Sequence, residues 1–283
     1  MTGDEVLVST DCVCDLPKQL REKYHIPIMY YYIRTKEARF QDTREITSDE
    51  LIEYIEGDKK QAKSRSASME EYKEHFEMLR KKTRGVIIHI SMAKYVSEAY
   101  DNASKAAEEF TDIYVVDSGH LSGGMGIMVL TAADMAKRGA CAEMILEEME
   151  SMREKVSSSF IVNSTECLYR GGRISENVHN FCKLFSLHPI LKMSESKMKP
   201  VGICIGGQQR IARAYIRRTL RKKNIVKDIA FLITAGCSYE FQEFLKEEIQ
   251  KRVQWDVIIV NEASATISCN CGSGAFGILF LTS

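Results

Sequence analysis

The chain has 283 residues, 45% of them hydrophobic and 28% charged, which is the composition of a soluble globular protein long enough for two domains. Lysine plus arginine and aspartate plus glutamate are balanced at 39 each, so no overall charge favours nucleic acid as a partner. No segment has the ~20 consecutive apolar residues that span a membrane, and the acidic start, MTGDE, is unlike a signal peptide.

The first 160 residues alternate short apolar strands with amphipathic helices. Strands are predicted over residues 6–10, 28–33, 85–90 and 112–117. Helices are predicted after the Thr47–Glu50 capping box, over residues 69–82, around Ala103, and in two parts over residues 121–155. Strand and helix in alternation predict a parallel sheet covered on both faces, and therefore an N-terminal α/β/α domain.

Hydroxyl and carboxyl side chains gather where these predicted strands end. They are Ser9, Thr10, Ser91, Asp117 and Ser118. Ligands of parallel α/β sheets bind beyond the carboxyl ends of the strands. The pattern points to a ligand at this edge of the sheet without identifying it.

The pattern changes after Asn163. A hairpin is predicted through residues 188–201, helices over 208–222 and 239–251, and strands over 229–233, 257–260 and 276–280. We therefore expect a second α/β domain over residues 161–283, after a first domain over residues 1–160.

The segment Tyr169–Ser175, with the sequence YRGGRIS, joins the two predicted domains. Its glycine pair allows close approach of the backbone to a neighbour, and Arg173 offers a guanidinium fork to a carboxylate or phosphate. An arginine that holds the domain interface together would have the same pattern. Both interpretations of Arg173 remain open at this point.

Five segments, taken in order and spacing, resemble the motifs of one protein family over essentially the whole chain. They are Asp11–Pro17, Ser64–Tyr72, Val116–Gly126, Gly171–Ser175 and the Gly-x-Gly-Ala-x-Gly stretch at residues 272–277. Together they are similar to the DegV family of bacterial fatty-acid-binding proteins.

The resemblance implies an N-terminal parallel-sheet α/β/α domain and a C-terminal α/β sandwich domain with one long-chain fatty acid between them. It implies a cytoplasmic carrier rather than an enzyme, with no metal and no cofactor besides the bound acid. Family members present the acid to a fatty acid kinase, so such a kinase is a candidate partner. The residues expected to hold the carboxylate head group are Ser64, Ser66, Ser91, Ser97, Arg173 and Asn270.

The sequence departs from the family motifs at three places near the expected head group. The Asp-Ser-Thr motif becomes Asp11-Cys12-Val13, and the Leu-Ser-Gly-Thr-Tyr motif becomes VSEAY at residues 96–100. The C-terminal His-Thr-Gly-Pro-Gly motif becomes NCGSG, with Asn270 in the position of the histidine. These changes remove several hydroxyls and a titratable donor.

Cysteines supply the alternative hypothesis, a redox or metal-binding enzyme. Cys12 and Cys14, with Cys269 and Cys271, could provide four thiolates, although zinc sites usually have Cys-x₂₋₄-Cys spacing. The favoured interpretation of residues 270–274 is a ligand-facing turn, in which Asn270 offers an amide donor and the cysteines are small wall residues. The odd total of nine cysteines, without the spacing of a secreted scaffold, indicates free thiols in a reducing cytoplasm.

Overall fold

The structure, a computed structural model, describes residues 5–57, 61–221 and 224–283. These residues form a four-stranded sheet, a six-stranded sheet and a small three-stranded sheet, with helices packed between and around them. The predicted α/β class is confirmed.

The first half of the chain supplies seven strands and the helices that connect them. The strands are β1 Val6–Asp11, β2 Ile28–Met29, β3 Tyr32–Arg34, β4 Arg39–Gln41, β5 Lys63–Arg65, β6 Val86–Ser91 and β7 Ile113–Asp117. The helices are α1 Lys18–Lys23, α2 Ser48–Gly57, α3 Met69–Arg80, α4 Ala99–Ala107, α5 Ser122–Lys137 and α6 Ala142–Lys155.

The four-stranded sheet has the order β2-β1-β6-β7, and every neighbouring pair in it is parallel. The central strands are covered on both faces, and Ile87, Ile88 and Ile90 of β6 are fully buried. The parallel N-terminal sheet is therefore confirmed.

The strand predicted over residues 28–33 is wrong, since it divides into two strands of different sheets. β2 joins the parallel sheet, whereas β3 joins the antiparallel sheet of order β4-β3-β5. Between them, the Tyr31 backbone N–H donates to the Cys12 sulfur at 3.2 Å, and the Tyr31 hydroxyl donates to Asp11 Oδ2 at 3.0 Å. These contacts with the end of β1 turn the chain out of the parallel sheet.

The second half of the chain forms the six-stranded sheet, which has the order β10-β9-β8-β13-β11-β12. Its strands are β8 Val156–Ile161, β9 Leu187–Ser194, β10 Lys197–Ile205, β11 Ile225–Ala235, β12 Val257–Glu262 and β13 Ala275–Thr282. Its helices are α7 Glu166–Arg170, α8 Glu176–Leu184, α9 Gln208–Thr219, α10 Tyr239–Gln250 and α11 Ala265–Cys271. Since β8 begins at Val156 and pairs with β9 and β13, it straddles the predicted domain boundary, which stays a prediction.

Helix α5 lies between the two large sheets and packs against β1 on one side and against β8, β11 and β13 on the other. It is buried almost all round its first two turns, from Ser122 to Val129. Close packing requires small residues there, because a Cβ added to Gly123 would lie 2.9 Å from the Phe231 Cβ. The two sheets therefore share one hydrophobic core.

None of the helices formed by the described residues combines the length and the apolar character needed to cross a membrane.

Candidate ligand site between the sheets

A cavity of about 270 Å³ lies where the two large sheets face each other beside α11, a volume just below the ~300–1,000 Å³ usual for small-molecule sites. Apolar atoms contribute most of the surface of its wall, although residues of both kinds line it. The apolar residues are Met92, Val96, Leu121, Phe160, Leu168, Met198, Ile267 and Cys271. The polar residues are Tyr31, Ser64, Arg65, Ser66, Ser97, Glu98, Arg173, Thr266 and Asn270.

Two neighbouring spaces adjoin the cavity and define its two ends. A groove of about 640 Å³ shares Ser64, Arg173 and Asn270 with it, and we call this polar end the mouth. A small chamber of about 40 Å³ shares four apolar wall residues with it, and we call this the deep chamber. The shared apolar residues are Leu121, Phe160, Ile267 and Cys271. The site thus has polar groups at one end and an apolar interior at the other.

Helix α11 forms one wall of the cavity, and its N-terminus is held by two buried carboxylates. Asp42 accepts hydrogen bonds from the backbone N–H groups of Ala265 at 2.8 Å and Thr266 at 2.9 Å. Asp15 accepts from the Ser264 N–H at 2.8 Å. Carboxylates at these otherwise unpaired N–H groups stabilise the start of a helix.

The prediction of a turn over residues 270–274 is wrong in its first part, because Asn270 and Cys271 form the last residues of α11. The chain leaves the helix at Gly272, which has a φ of 75° that glycine adopts without strain. Asn270 is therefore fixed by a helix rather than by a flexible loop.

At the mouth, Asn270 holds Ser64 in place. The Asn270 Nδ2 donates to Ser64 Oγ at 3.0 Å and to the Thr266 carbonyl oxygen at 2.7 Å. Because Ser64 Oγ accepts this bond, its own proton is available to donate to an acceptor in the cavity. The amide of Asn270 already has two acceptors, so it positions Ser64 instead of offering a free donor as predicted.

Ser97 and Ser66 line the same cavity. Ser97 Oγ accepts a bond from the Ala99 N–H at 3.2 Å at the start of α4, which leaves the hydroxyl proton free to donate. Both side chains are half-buried. With Ser64, they place three hydroxyls along the polar part of the wall.

Arg173 lines both the cavity and the mouth. Its Nη1 lies 3.5 Å from the Gly171 carbonyl oxygen, and it forms no ion pair with a carboxylate of the described residues. The nearby Arg170, by contrast, is paired with Glu166 at 2.7 Å. An exposed guanidinium with no carboxylate partner among the described residues is suited to an anionic oxygen ligand.

Ser91, the sixth residue predicted for the head group, lies outside the cavity. It is fully buried, and its hydroxyl donates to Asp11 Oδ2 at 2.8 Å. The Met92 backbone N–H donates to the same oxygen at 3.0 Å. The polar residue at the end of β6 therefore serves a buried carboxylate instead of a ligand.

Asp11 is the centre of a buried network that sequence reasoning missed. Its other oxygen, Oδ1, accepts from the Tyr72 hydroxyl at 2.6 Å and lies 3.2 Å from His89 Nε2. The His89 Nδ1 in turn lies 2.8 Å from Ser9 Oγ. Burial raises the pKa of Asp11, but the hydrogen bonds and charge of His89 and the other donors outweigh it, so the pKa lies below its usual value.

The comparison with protein families covers nearly the whole chain. Residues 5–283 match the family model described as "Uncharacterised protein, DegV family". The chain belongs to the DegV family. A DegV domain-containing protein from Caldanaerobacter subterraneus subsp. tengcongensis is 28% identical, over 98% of this chain and 99% of that protein. One from Clostridium perfringens is 28% identical over 76% of this chain and 77% of its own.

Solved DegV structures have the same fold. A DegV family protein from Thermus thermophilus, described as binding fatty acid, is 24% identical with a TM-score of 0.85, over 99% of this chain and 100% of its own. A DegV family protein from Eubacterium eligens, loaded with heptadecanoic acid, is 17% identical with a TM-score of 0.84, over 98% and 100%. At these identities the likeness establishes the fold.

The cysteine hypothesis receives no support from the geometry of this DegV protein. Cys12 and Cys14 lie on a 3₁₀ turn, and Cys269 and Cys271 lie on α11, so neither pair has the strand geometry in which alternate thiols face one side. Burial raises the pKa of the Cys14 and Cys269 thiols to about 12 and raises that of Cys12 as well. All nine cysteines are free, and within the described ranges no three metal-ligating side chains come together.

Proposed function

We propose that this protein is a carrier that binds one long-chain fatty acid between its two sheets. The observation that supports this most is the cavity itself, which has three hydroxyls on the polar part of its wall, Arg173 at its mouth and an apolar interior. A fatty acid has the same distribution of polarity along its length. The DegV proteins described as binding fatty acid or loaded with one point to the same ligand class.

In the proposed complex the carboxylate accepts hydrogen bonds from Ser64, Ser66 and Ser97 and lies close to Arg173. These donors are needed because a buried carboxylate without partners is too costly. The acyl chain extends past Phe160 towards the deep chamber. Burial of ~14 methylenes contributes about 10 kcal/mol before the cost of ordering the tail.

The proposed role is sequestration and presentation rather than catalysis. The mouth opens into a groove that also contains Lys63, Tyr169 and Arg170, so a second protein could reach the carboxylate there. A Streptococcus pneumoniae protein named Fatty Acid Kinase (Fak) B3, loaded with linoleic acid, has a TM-score of 0.83 and 18% identity. We infer a fatty acid kinase as the partner and, from the free cysteines, a cytoplasmic location.

Native purification followed by solvent extraction and mass spectrometry tests the ligand. We expect one long-chain fatty acid per chain, or stoichiometric uptake of added oleate or palmitate by delipidated protein. A protein that is empty and takes up neither acid would contradict the carrier proposal. Metal analysis of the same sample checks the cysteine hypothesis, which predicts stoichiometric zinc that is lost on thiol alkylation.

Arg173→Ala is expected to weaken fatty-acid binding by about 1.5–3 kcal/mol, the usual contribution of a charged hydrogen bond. Isothermal titration or displacement of a fluorescent fatty acid would measure this loss. The matched control is Arg170→Ala, since Arg170 lies in the same groove but is paired with Glu166. Equal affinity in Arg173→Ala and the parent, with only a lower melting temperature, would make Arg173 a structural contact between elements.

Asn270→Ala is expected to weaken binding by about 1 kcal/mol, because Ser64 loses the donor that orients it. The same titration would measure the change. Asn270→Ala in the Ser64→Ala background should add little, since Asn270 acts on the ligand through Ser64. Fully additive losses would show that Asn270 acts independently of Ser64.

A further inference from the structure

The deep chamber contains a buried hydroxyl that the fold does not satisfy. Ser158 lies on β8, the residue is 1% exposed, and its Oγ has no hydrogen-bond partner among the described residues. A buried hydroxyl without a partner destabilises the fold, because it loses its hydrogen bonds to water and gains none in return. Alanine would fit the same apolar wall without this cost.

The direction of the Ser158 side chain follows from its strand. The neighbouring Ser159 Oγ lies 3.0 Å from the Tyr215 hydroxyl, on the face of the sheet covered by α9. Because side chains alternate along a strand, Ser158 faces the opposite way, towards α5. In agreement, a Cβ on Gly124 of α5 would collide with Ser158 Oγ.

Ser158 therefore belongs to the wall of the deep chamber, in line with the apolar end of the cavity. The chamber volume of about 40 Å³ is close to the ~30 Å³ that one water molecule occupies in the liquid. The chamber thus has room for a group as small as a hydroxyl or a carbonyl oxygen. This end of the site is remote from the mouth, where the proposed carboxylate lies.

We propose that the deep chamber recognises an oxygen atom on the acyl chain, so that the preferred ligand class is a hydroxy or oxo fatty acid. The ligand oxygen forms the hydrogen bond that Ser158 lacks. Because the chamber is remote from the mouth, the oxygen lies in the middle or distal part of the chain and not beside the carboxylate. This inference rests on the proposed fatty-acid function and deepens it by naming the substituent.

The test compares stearic acid with its near-carboxyl, mid-chain and terminal monohydroxy isomers by displacement of a fluorescent fatty acid. The parent should bind at least one mid-chain or terminal isomer about 5–10-fold more tightly than stearic acid, the gain from one hydrogen bond. Ser158→Ala should abolish that preference while it retains or improves the affinity for stearic acid. Ser159→Ala is the matched control, since it removes a hydroxyl from the same strand that faces Tyr215 on the opposite side of the sheet.

The outcomes separate this inference from the function on which it rests. If the parent binds stearic acid at least as tightly as every hydroxy isomer, the inference is overturned and the carrier function stands. The same holds if the preference survives in Ser158→Ala. A parent that binds no fatty acid of either kind would overturn both. The comparison of acids on the parent does not depend on the folding of any variant.

Discussion

Replacement of Asp11 by alanine is expected to lower the free energy of unfolding by about 3–5 kcal/mol, the usual cost of breaking a buried charged network. Asp11 is fully buried at the carboxyl end of β1. Its removal leaves the hydroxyls of Tyr31 and Tyr72 and the Met92 N–H without their acceptor. Because Tyr31 and Met92 also line the cavity, we expect ligand binding to weaken together with stability.

Urea unfolding of the parent and of Asp11→Ala would measure this loss. Asp228→Ala is the control, since Asp228 is an exposed aspartate on β11. The lowered pKa of Asp11 also determines how the stability of the protein changes with pH. Asp11 stabilises the fold at pH values above its pKa in the unfolded chain, and this contribution is lost as the pH falls through its lower pKa in the folded protein. Acid should therefore reduce the difference in the free energy of unfolding between the parent and Asp11→Ala. A change below about 1 kcal/mol at neutral pH would show that the network is dispensable.

Replacement of Asp15 by asparagine is expected to have the opposite pH dependence. Burial raises the pKa of Asp15 to about 7, although bonds from Ser122 and Ser264 partly offset it. Because the pKa of Asp15 is higher in the folded than in the unfolded chain, its protonated carboxyl stabilises the protein fully below pH ~4. This contribution is lost as the pH rises towards ~7. Asparagine does not ionise. It can accept from the Ser264 N–H and donate to Ser122 Oγ, which now lies 2.5 Å from Asp15 Oδ2.

The stability of Asp15→Asn relative to the parent should therefore grow by roughly 2–4 kcal/mol between about pH 4.5 and 7.5. Urea unfolding at several pH values would measure the difference. Glu262, whose pKa burial and the nearby Asp49 raise to about 7, is common to both proteins, so its titration cancels. Asp228→Asn should show no such trend. A constant difference would mean that Asp15 is ionised throughout this range.

The fold was largely predictable where local pattern and tertiary structure agree. Continuous apolar runs located β6 and β7, and period-3.6 runs located α3, α9 and α10. By contrast, β8 was not predicted, because its three consecutive serines interrupt the apolar pattern, although the strand is buried on both faces. The helix α11 was missed as well, since the residues that hold its N-terminus, Asp15 and Asp42, are far away in sequence.

The site was predictable to the level of residue type but not of side-chain direction. Five of the six predicted head-group residues line the cavity, and Ser91 does not. A polar residue at a strand end can face either a ligand or a buried partner, and the sequence carries no sign that Asp11 lies beneath Ser91. Asn270 lies at the mouth, but its bond to Ser64 depends on the pairing of β5 with β3 and on α11.

The position of β13 determines when the cavity can form during synthesis. β13 is the last of the six strands to leave the ribosome, yet it lies in the interior of the sheet between β8 and β11. Until it emerges, β8 has no partner on that side, and α11, which immediately precedes β13, has not closed the cavity wall. The apolar lining of the cavity therefore stays exposed to water until β13 has paired. A ligand that the cavity encloses can therefore be held only after β13 has paired, and before that step a chaperone or the ligand itself could cover this surface.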